Sequence, residues 1–170
     1  AEYARAQGVE LVLDGTVNKD GQDLIVHMLL IDARANLAIW SKEYRRTNTE
    51  VAALEEQVAA HAGEVLQCAL IARRPNAGPI DPATLSLFLR ACDEVEQFDG
   101  EQVIMEEGAR HIIERAPRFA AGYAMLALAD AYSSRYATPQ EAPALRLTAE
   151  DAAAKALRIA PRTDDELVAR

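Results

Sequence analysis

Apolar and polar positions follow one period up to about Thr49 and another after it. Residues 9–44 hold three apolar runs separated by two short polar breaks, and carry the densest β-type composition of the chain. The pattern predicts strands over 9–17, 24–31 and 37–44. In the first, Val9, Leu11, Leu13 and Val17 share one face, and Val12 on the other face implies burial from both sides. Asn18-Lys19-Asp20-Gly21 reads as a tight hairpin turn built on Asp-Gly. Residues 24–31 are almost continuously apolar, the pattern of a central strand covered on both faces. After the break Asp32-Ala33-Arg34-Ala35-Asn36, alternation places Ala38, Trp40, Lys42 and Tyr44 together. Three strands with two short connections make an antiparallel meander. Residues 2–7 read as the tail of a helix that stops at Gly8.

Beyond Thr49 the apolar spacing becomes helical. Thr47, Asn48 and Thr49 are candidate N-caps for a helix over 50–72, whose Val51, Leu54, Val58, Ala62, Val65, Leu66 and Ala69 form one stripe. A three-stranded sheet covered by one helix leaves a second face open, so the missing cover is expected from upstream residues or a second copy of the chain. Two prolines and a glycine in Arg73-Arg74-Pro75-Asn76-Ala77-Gly78-Pro79 end the helix and begin a linker. Asp81 then caps a new helix with Pro82 at its first position, running to about residue 97. Phe98-Asp99-Gly100 turns the chain into a partner helix over 101–115. A further pair is predicted at 119–132 and 147–159, joined by a loop over 133–143, with another helix starting at Thr163. The fold class is α+β: a partial α/β domain over 1–74, a linker over 75–80, and an all-α region of helical pairs over 81–170 (pairs 81–117 and 119–161).

Half of the 170 residues are hydrophobic, much of that alanine, and aromatics are only 5%. Small side chains let helix axes approach closely, which suits the helical reading. No apolar run is long enough to span a membrane. The chain begins with Ala1 and not Met, which points to a piece of a longer protein. The net charge is −9, with eight basic and eleven acidic residues up to Arg74 and ten basic and sixteen acidic after it. Neither part has the basic stripe that phosphate neutralisation requires, so nucleic-acid binding is not expected of this chain. Cys68 and Cys92 lie among apolar residues on predicted helices and read as two small buried thiols, ahead of the alternatives of a disulfide or a reactive thiol.

Two segments repeat. Ile113-Glu-Arg-Ala-Pro117 and Leu157-Arg-Ile-Ala-Pro161 each close the second helix of a pair with an Ala-Pro step. Tyr123, Leu126 and Ala127 have the spacing of the large, apolar and small residues of a tetratricopeptide repeat, with Pro161 as its closing proline. In the first pair Met105 and Ile112 stand where small residues are usual, which implies looser packing. The run Gly8-Val9-Glu10-Leu11-Val12-Leu13-Asp14-Gly15-Thr16-Val17, with Leu29-Leu30-Ile31-Asp32-Ala33 and Leu37-Ala38-Ile39-Trp40-Ser41-Lys42-Glu43-Tyr44 after it, resembles a TolB-like amino-terminal domain. A helix, a short linker and tetratricopeptide pairs follow in the order of that family, and the resemblance covers most of the chain. Leu11 in place of an aromatic and the long loop in the second pair depart from the pattern. The resemblance implies the carboxy-terminal part of a larger bacterial signalling protein, whose output domain is a nucleotide cyclase or a winged-helix domain. It also implies another strand and helix before Gly8, and a place on the cytoplasmic or periplasmic side of a membrane-anchored protein.

No reaction is legible. His27, His61 and His111 fall on three separate elements without metal-ligand spacing, and His27, within an apolar strand, reads as a satisfied structural histidine. Glu55-Glu56, Glu106-Glu107 and Asp164-Asp165-Glu166 read as solvated helix faces, because adjacent residues on a helix diverge. No catalytic set, cofactor or metal is expected. The expected function is a non-catalytic sensory or interaction module that binds a protein or peptide through its helical repeats, with Arg90, Glu94, Tyr123 and Asp130 on the first helices as candidate contacts. Trp40 is a fifth candidate, as an exposed aromatic anchor or as a residue packed on the 50–72 helix. The alternative is a dimerisation module that positions an upstream output domain.

Overall fold

The computed structural model describes residues 7–94 and 102–161, with the side chains of 94 and 102–104 excepted. The predicted helix tail at 2–7 (save Gln7), the turn at Phe98-Asp99-Gly100 and the helix expected from Thr163 lie outside the described residues. The architecture is mixed α+β. Three antiparallel strands, β1 (Leu11–Asp20), β2 (Asp23–Asp32) and β3 (Leu37–Thr47), are followed by five helices among the described residues. These are α1 (Val51–Ala72), α2 (Pro82–Glu94), α3 (Gln102–Arg115), α4 (Ala120–Tyr136) and α5 (Ala142–Ile159). By packing, the chain divides into two compact units, Ala1–Gln67 and Cys68–Arg170, with the division inside α1.

In the first unit the strands are longer than their apolar runs. Asp20 pairs with Asp23, so the loop is only Gly21-Gln22 and the strand absorbs Asn18 and Lys19. Gly21 has φ +60° and Gln22 does not enter the positive region, the pattern of a II′ turn whose twist matches the strands it joins. The second hairpin is set by a side chain: Asp32 Oδ1 accepts the Arg34 and Ala35 N–H groups at 2.8 and 3.0 Å, and Asn36 takes φ +52°. Pairing slips between Leu30 and Ile31, which face Trp40 and Ala38 respectively, so Ile39 is an extra residue. The bulge corrects the predicted face: Trp40 and Tyr44 lie with Leu30 and Val26, while Ala38 goes to the opposite side. Tyr44 meets His61 of α1, with Oη 3.1 Å from Nδ1, so this is the face that α1 covers. Val26, Met28, Leu30, Trp40, Leu54 and Val65 are buried in the resulting core.

Among the described residues nothing covers the opposite face at its centre, the open second face expected of a three-stranded sheet with one helix. Thr16, His27 and Glu43 form a cross-strand row there, His27 Nδ1 lying 3.5 Å from Glu43 Oε2, and both side chains are about half exposed. His27 is thus a surface residue on the open face and not a buried structural one. Leu29 is on the same face and exposed.

In the second unit α2 starts as its sequence predicts. Asp81 Oδ1 accepts the Ala83 and Thr84 N–H groups, both at 3.0 Å, and its other oxygen accepts the Thr84 hydroxyl. The Thr84 bonds, with smaller help from Arg115, hold the Asp81 carboxyl below its usual range. Ordering of the remaining helices differs from expectation at one junction. The predicted 133–143 loop shrinks to five residues, because α4 continues to Tyr136 and α5 starts at Ala142. Thr138 and Glu141 form a reciprocal capping box in the turn leading into α5: the Thr138 N–H donates to Glu141 Oε2 and the Glu141 N–H donates to Thr138 Oγ1, both at 3.3 Å, and the Thr138 hydroxyl adds a bond to Glu141 Oε2 at 2.8 Å. Pro143 falls in the first turn, where its missing N–H costs nothing. Core packing centres on Phe88 and Phe119, edge to face at 5.1 Å, with Leu89 and Ile112 buried beside them in the same unit. Met105 and Ile112 are themselves buried, and a Cβ on Gly122 would lie 3.1 Å from Ile112. The bulky residue on α3 is met by a glycine on α4, so the pair packs closely where looseness was expected.

Two further features correct the sequence reading. Residues expected to be a linker are packed into the unit: Ala77 is buried, its carbonyl accepts the Ala120 N–H at 2.8 Å, and Gly78, at φ +90°, has no room for a Cβ beside the Arg118 carbonyl. Cys68 and Cys92 are not thiols but a disulfide with Cα atoms 6.7 Å apart, joining the end of α1 to α2. The sequence placed both among apolar residues on predicted helices but could not show that the two positions meet.

Glycine substitutions should therefore diverge. In α1, Gly63 faces open space, and Gly63→Ala should stabilise by about 0.8–1 kcal/mol from helix propensity. Gly78→Ala must both strain φ and displace the Arg118 carbonyl, 1.7 Å from the new methyl, and should destabilise by well over ~1 kcal/mol in urea denaturation. Reducing Cys68–Cys92 opens a constraint of 24 residues and should cost on the order of 3 kcal/mol, read as a shift in denaturation midpoint with reductant.

Candidate functional site

The residues singled out by sequence separate by burial. Trp40, in the first unit, is 3% exposed and belongs to the sheet core, where it offers no surface to a partner. In the second unit Arg90 is exposed on α2, and Glu94 ends that helix with its side chain outside the described residues. Tyr123 is buried on α4: its hydroxyl donates to the Pro117 carbonyl at 3.2 Å, and Lys155 of α5 lies over its ring at 4.5 Å. That combination pins the start of α4 to the preceding turn and to α5.

Asp130, seven residues further along the same helix, is fully buried, and neither carboxylate oxygen has a hydrogen-bond partner. Its nearest electrostatic counterpart is Arg110 on α3. The Glu106 carboxylate, which accepts from Arg110 at 2.7 Å, is first in holding that guanidinium charged, and Asp130 adds to it. A buried carboxylate without hydrogen bonds opposes folding. A side chain that burdens the core in this way is a candidate for retention by function.

Sequence reasoning missed what the other side of α4 presents. Leu128, Tyr132 and Tyr136 recur every four residues and stack along one face. Leu128 is 53% and Tyr136 70% exposed, the two tyrosine rings are 5.2 Å apart, and their hydroxyls lie 3.3 Å from each other. The bond between them raises the Tyr132 hydroxyl's pKa above its usual value. The i, i+4, i+8 spacing was present in the sequence, but helical periodicity assigns any apolar stripe to a core by default, and α4 carries a second stripe that takes that role.

At the start of α4 lies a cavity of about 240 Å³ within the second unit. Its walls are alanine methyls from the first turns of α4 (Ala120, Ala121, Ala124) and from the end of α5 (Ala156), and its lining includes Arg74 and Asn76. Among the described residues no cluster of His, Cys, Asp and Glu could hold a metal ion, and no helix is long and apolar enough to cross a membrane.

No family model matches the chain. A protein of Rhizobium meliloti (strain 1021) named "Putative adenylate cyclase 3" is 25% identical over 132 residues, which cover 75% of this chain and 22% of that protein. The chain therefore spans about a fifth of the relative it matches.

Asp130→Leu should test the cost of the unpartnered buried carboxyl. Replacing a polar group that has no hydrogen bond by an apolar one of similar volume should raise unfolding free energy by on the order of 1–3 kcal/mol in chemical denaturation. A loss of stability instead would mean that the carboxylate is supported within the fold.

Proposed function

We propose that this chain is a non-catalytic interaction module of a larger bacterial signalling protein, and that it binds a protein partner along α4. The observation that carries the reading is the ridge made by exposed Leu128 and Tyr136 with half-buried Tyr132 between them. Aromatic side chains with an apolar body and a polar tip dominate the energetics of protein contacts, and here they are held on a rigid helix with their apolar faces in water. The ridge lies on the first helix of the second pair, the element that the sequence assigned to binding, though on a different face from Tyr123 and Asp130.

The similarity to a protein named as an adenylate cyclase supports the signalling context, since 132 residues align within about a fifth of that protein. Consecutive helices also pack on one another through the second unit, α4 on α5 most extensively, and the turns at 116–119 and 137–141 are short. Such pairing is how tetratricopeptide repeats would be arranged, and it supports the tetratricopeptide part of the resemblance. The Cys68–Cys92 disulfide supports a compartment in which thiols oxidise, hence the periplasmic alternative.

Leu128→Glu and Tyr136→Ser test the ridge. Both residues are more than half exposed, so each variant should keep its thermal midpoint within a few degrees of wild type. In proximity labelling from the full-length protein, each should lose the same set of labelled partners, while Arg90→Ala should lose fewer. Unchanged labelling with both ridge variants would refute the assignment. A ridge-dependent monomer–dimer equilibrium in light scattering would instead select the dimerisation reading.

A further inference from the structure

Helix α4 is apolar on its outer side as well as on its packed side, whereas a helix with one face in water normally carries polar residues there. Ala124, Leu128, Ala131 and Arg135 recur at steps of three and four residues and are all exposed, with half-buried Tyr132 beside them. Arg135 is the one charged residue of this face, and among the described residues it forms no ion pair or hydrogen bond. Helix α5 shows the ordinary case in the same unit. Its exposed side carries Arg146, Glu150, Asp151, Lys155 and Arg158, so charges surround even its exposed Leu147 and Leu157. At its start the outer face of α4 runs into the open, alanine-lined depression shared with the end of α5. Ala124 belongs to both, so the depression and the face are continuous.

We propose that this face seats an amphipathic helix of the protein partner, with one large apolar side chain in the alanine depression and a carboxylate at Arg135. The proposal rests on the docking reading given above and names the chemistry of the partner. The side of a helix presents no free backbone N–H or C=O groups with which to pair an extended peptide. A segment lying along it must satisfy its own backbone, as a helix does. Alanine at 121, 124 and 131 keeps the surface low, so two helix axes can approach closely. From Ala124 to Tyr136 the face runs twelve residues, roughly 18 Å at about 1.5 Å per residue. That length suits a partner helix of about three to four turns, with apolar residues at i, i+4, i+7 and i+11. An acidic residue at the Arg135 end of the partner helix would meet that guanidinium, and a basic one would be repelled. A second copy of this chain laid face to face would bring no such group, since the face itself has no carboxylate.

Site-directed photo-cross-linking in the full-length protein, expressed in its native host, tests the proposal. The cross-linking residue p-benzoylphenylalanine replaces Ala131 or, as an independent position, Ala124, and Asp151 on the charged side of α5 is the control. All three positions are exposed, so thermal midpoints should stay within a few degrees of wild type. The positions 131 and 124 should capture the same segment of another protein, and position 151 should not. Mass spectrometry should identify that segment as one with an apolar stripe at helical spacing and an Asp or Glu at the Arg135 end. A synthetic peptide of the captured segment, followed by fluorescence anisotropy with the full-length protein, then separates the terms. Leu128→Glu should weaken it by about tenfold, Arg135→Glu by about threefold or more, and a proline in the middle of the peptide should abolish binding. A captured segment that binds equally well with the central proline would overturn the helix and leave the docking reading standing. Full affinity with Arg135→Glu would overturn the carboxylate contact. Capture of later residues of the same chain, capture of a second copy, or no cross-link above the position 151 control would overturn both the proposal and the docking reading.

Discussion

The second unit hangs on a backbone tie, the Ala120 N–H donated to the Ala77 carbonyl, made possible because Gly78 beside it has no side chain. An unpaired N–H at a helix start would need water or a cap, and Phe119 offers no side-chain cap. The carbonyl of a distant segment takes that role. In doing so it fixes where α4 begins, how the 75–80 segment lies and where the alanine walls of the cavity face. The tie is also what turns a proline-glycine stretch from a spacer into a structural part of the unit.

Fold and site were legible to different extents, and the reasons are local. Asp81-Pro82 announced α2 because a cap and a pre-set φ act within three residues, and the Asp-Gly turn announced its hairpin for the same reason. Thr138-Pro-Gln-Glu141 carried an equally local signal, a capping box, but the two prolines nearby read as breakers and hid it. The bulge at Ile39 was not legible, since strict alternation is the assumption that a bulge violates. Nor were the packed linker, the disulfide or the Gly122 contact with Ile112, each of which depends on a meeting between segments far apart in sequence. Of the proposed site, the sequence singled out the first helices of both pairs, α2 and α4. Which face of α4 mattered was not legible, because Tyr123 and Leu128 have the same apolar character and differ only in what packs against them.

The two faces of α4 divide fold from function in a way that the buried side makes unequal. Tyr123 works for the fold, through the Pro117 carbonyl and Lys155. Asp130 works against it, an unsatisfied carboxylate in an interior otherwise closed by alanine, phenylalanine and isoleucine. On the open side, Leu128 and Tyr136 leave apolar area in water, which is why the proposed function centres on this helix.

The bond between Cys68 and Cys92 has a consequence for the chain as a polymer. It encloses the end of α1, the whole proline-rich 73–80 segment and the first turns of α2 in one covalent ring. A protease that cut within that ring would add only the elements of one water molecule under oxidising conditions, since both fragments would remain one molecule. Only after reduction would the two pieces part, so a nick there would stay silent while the disulfide persists.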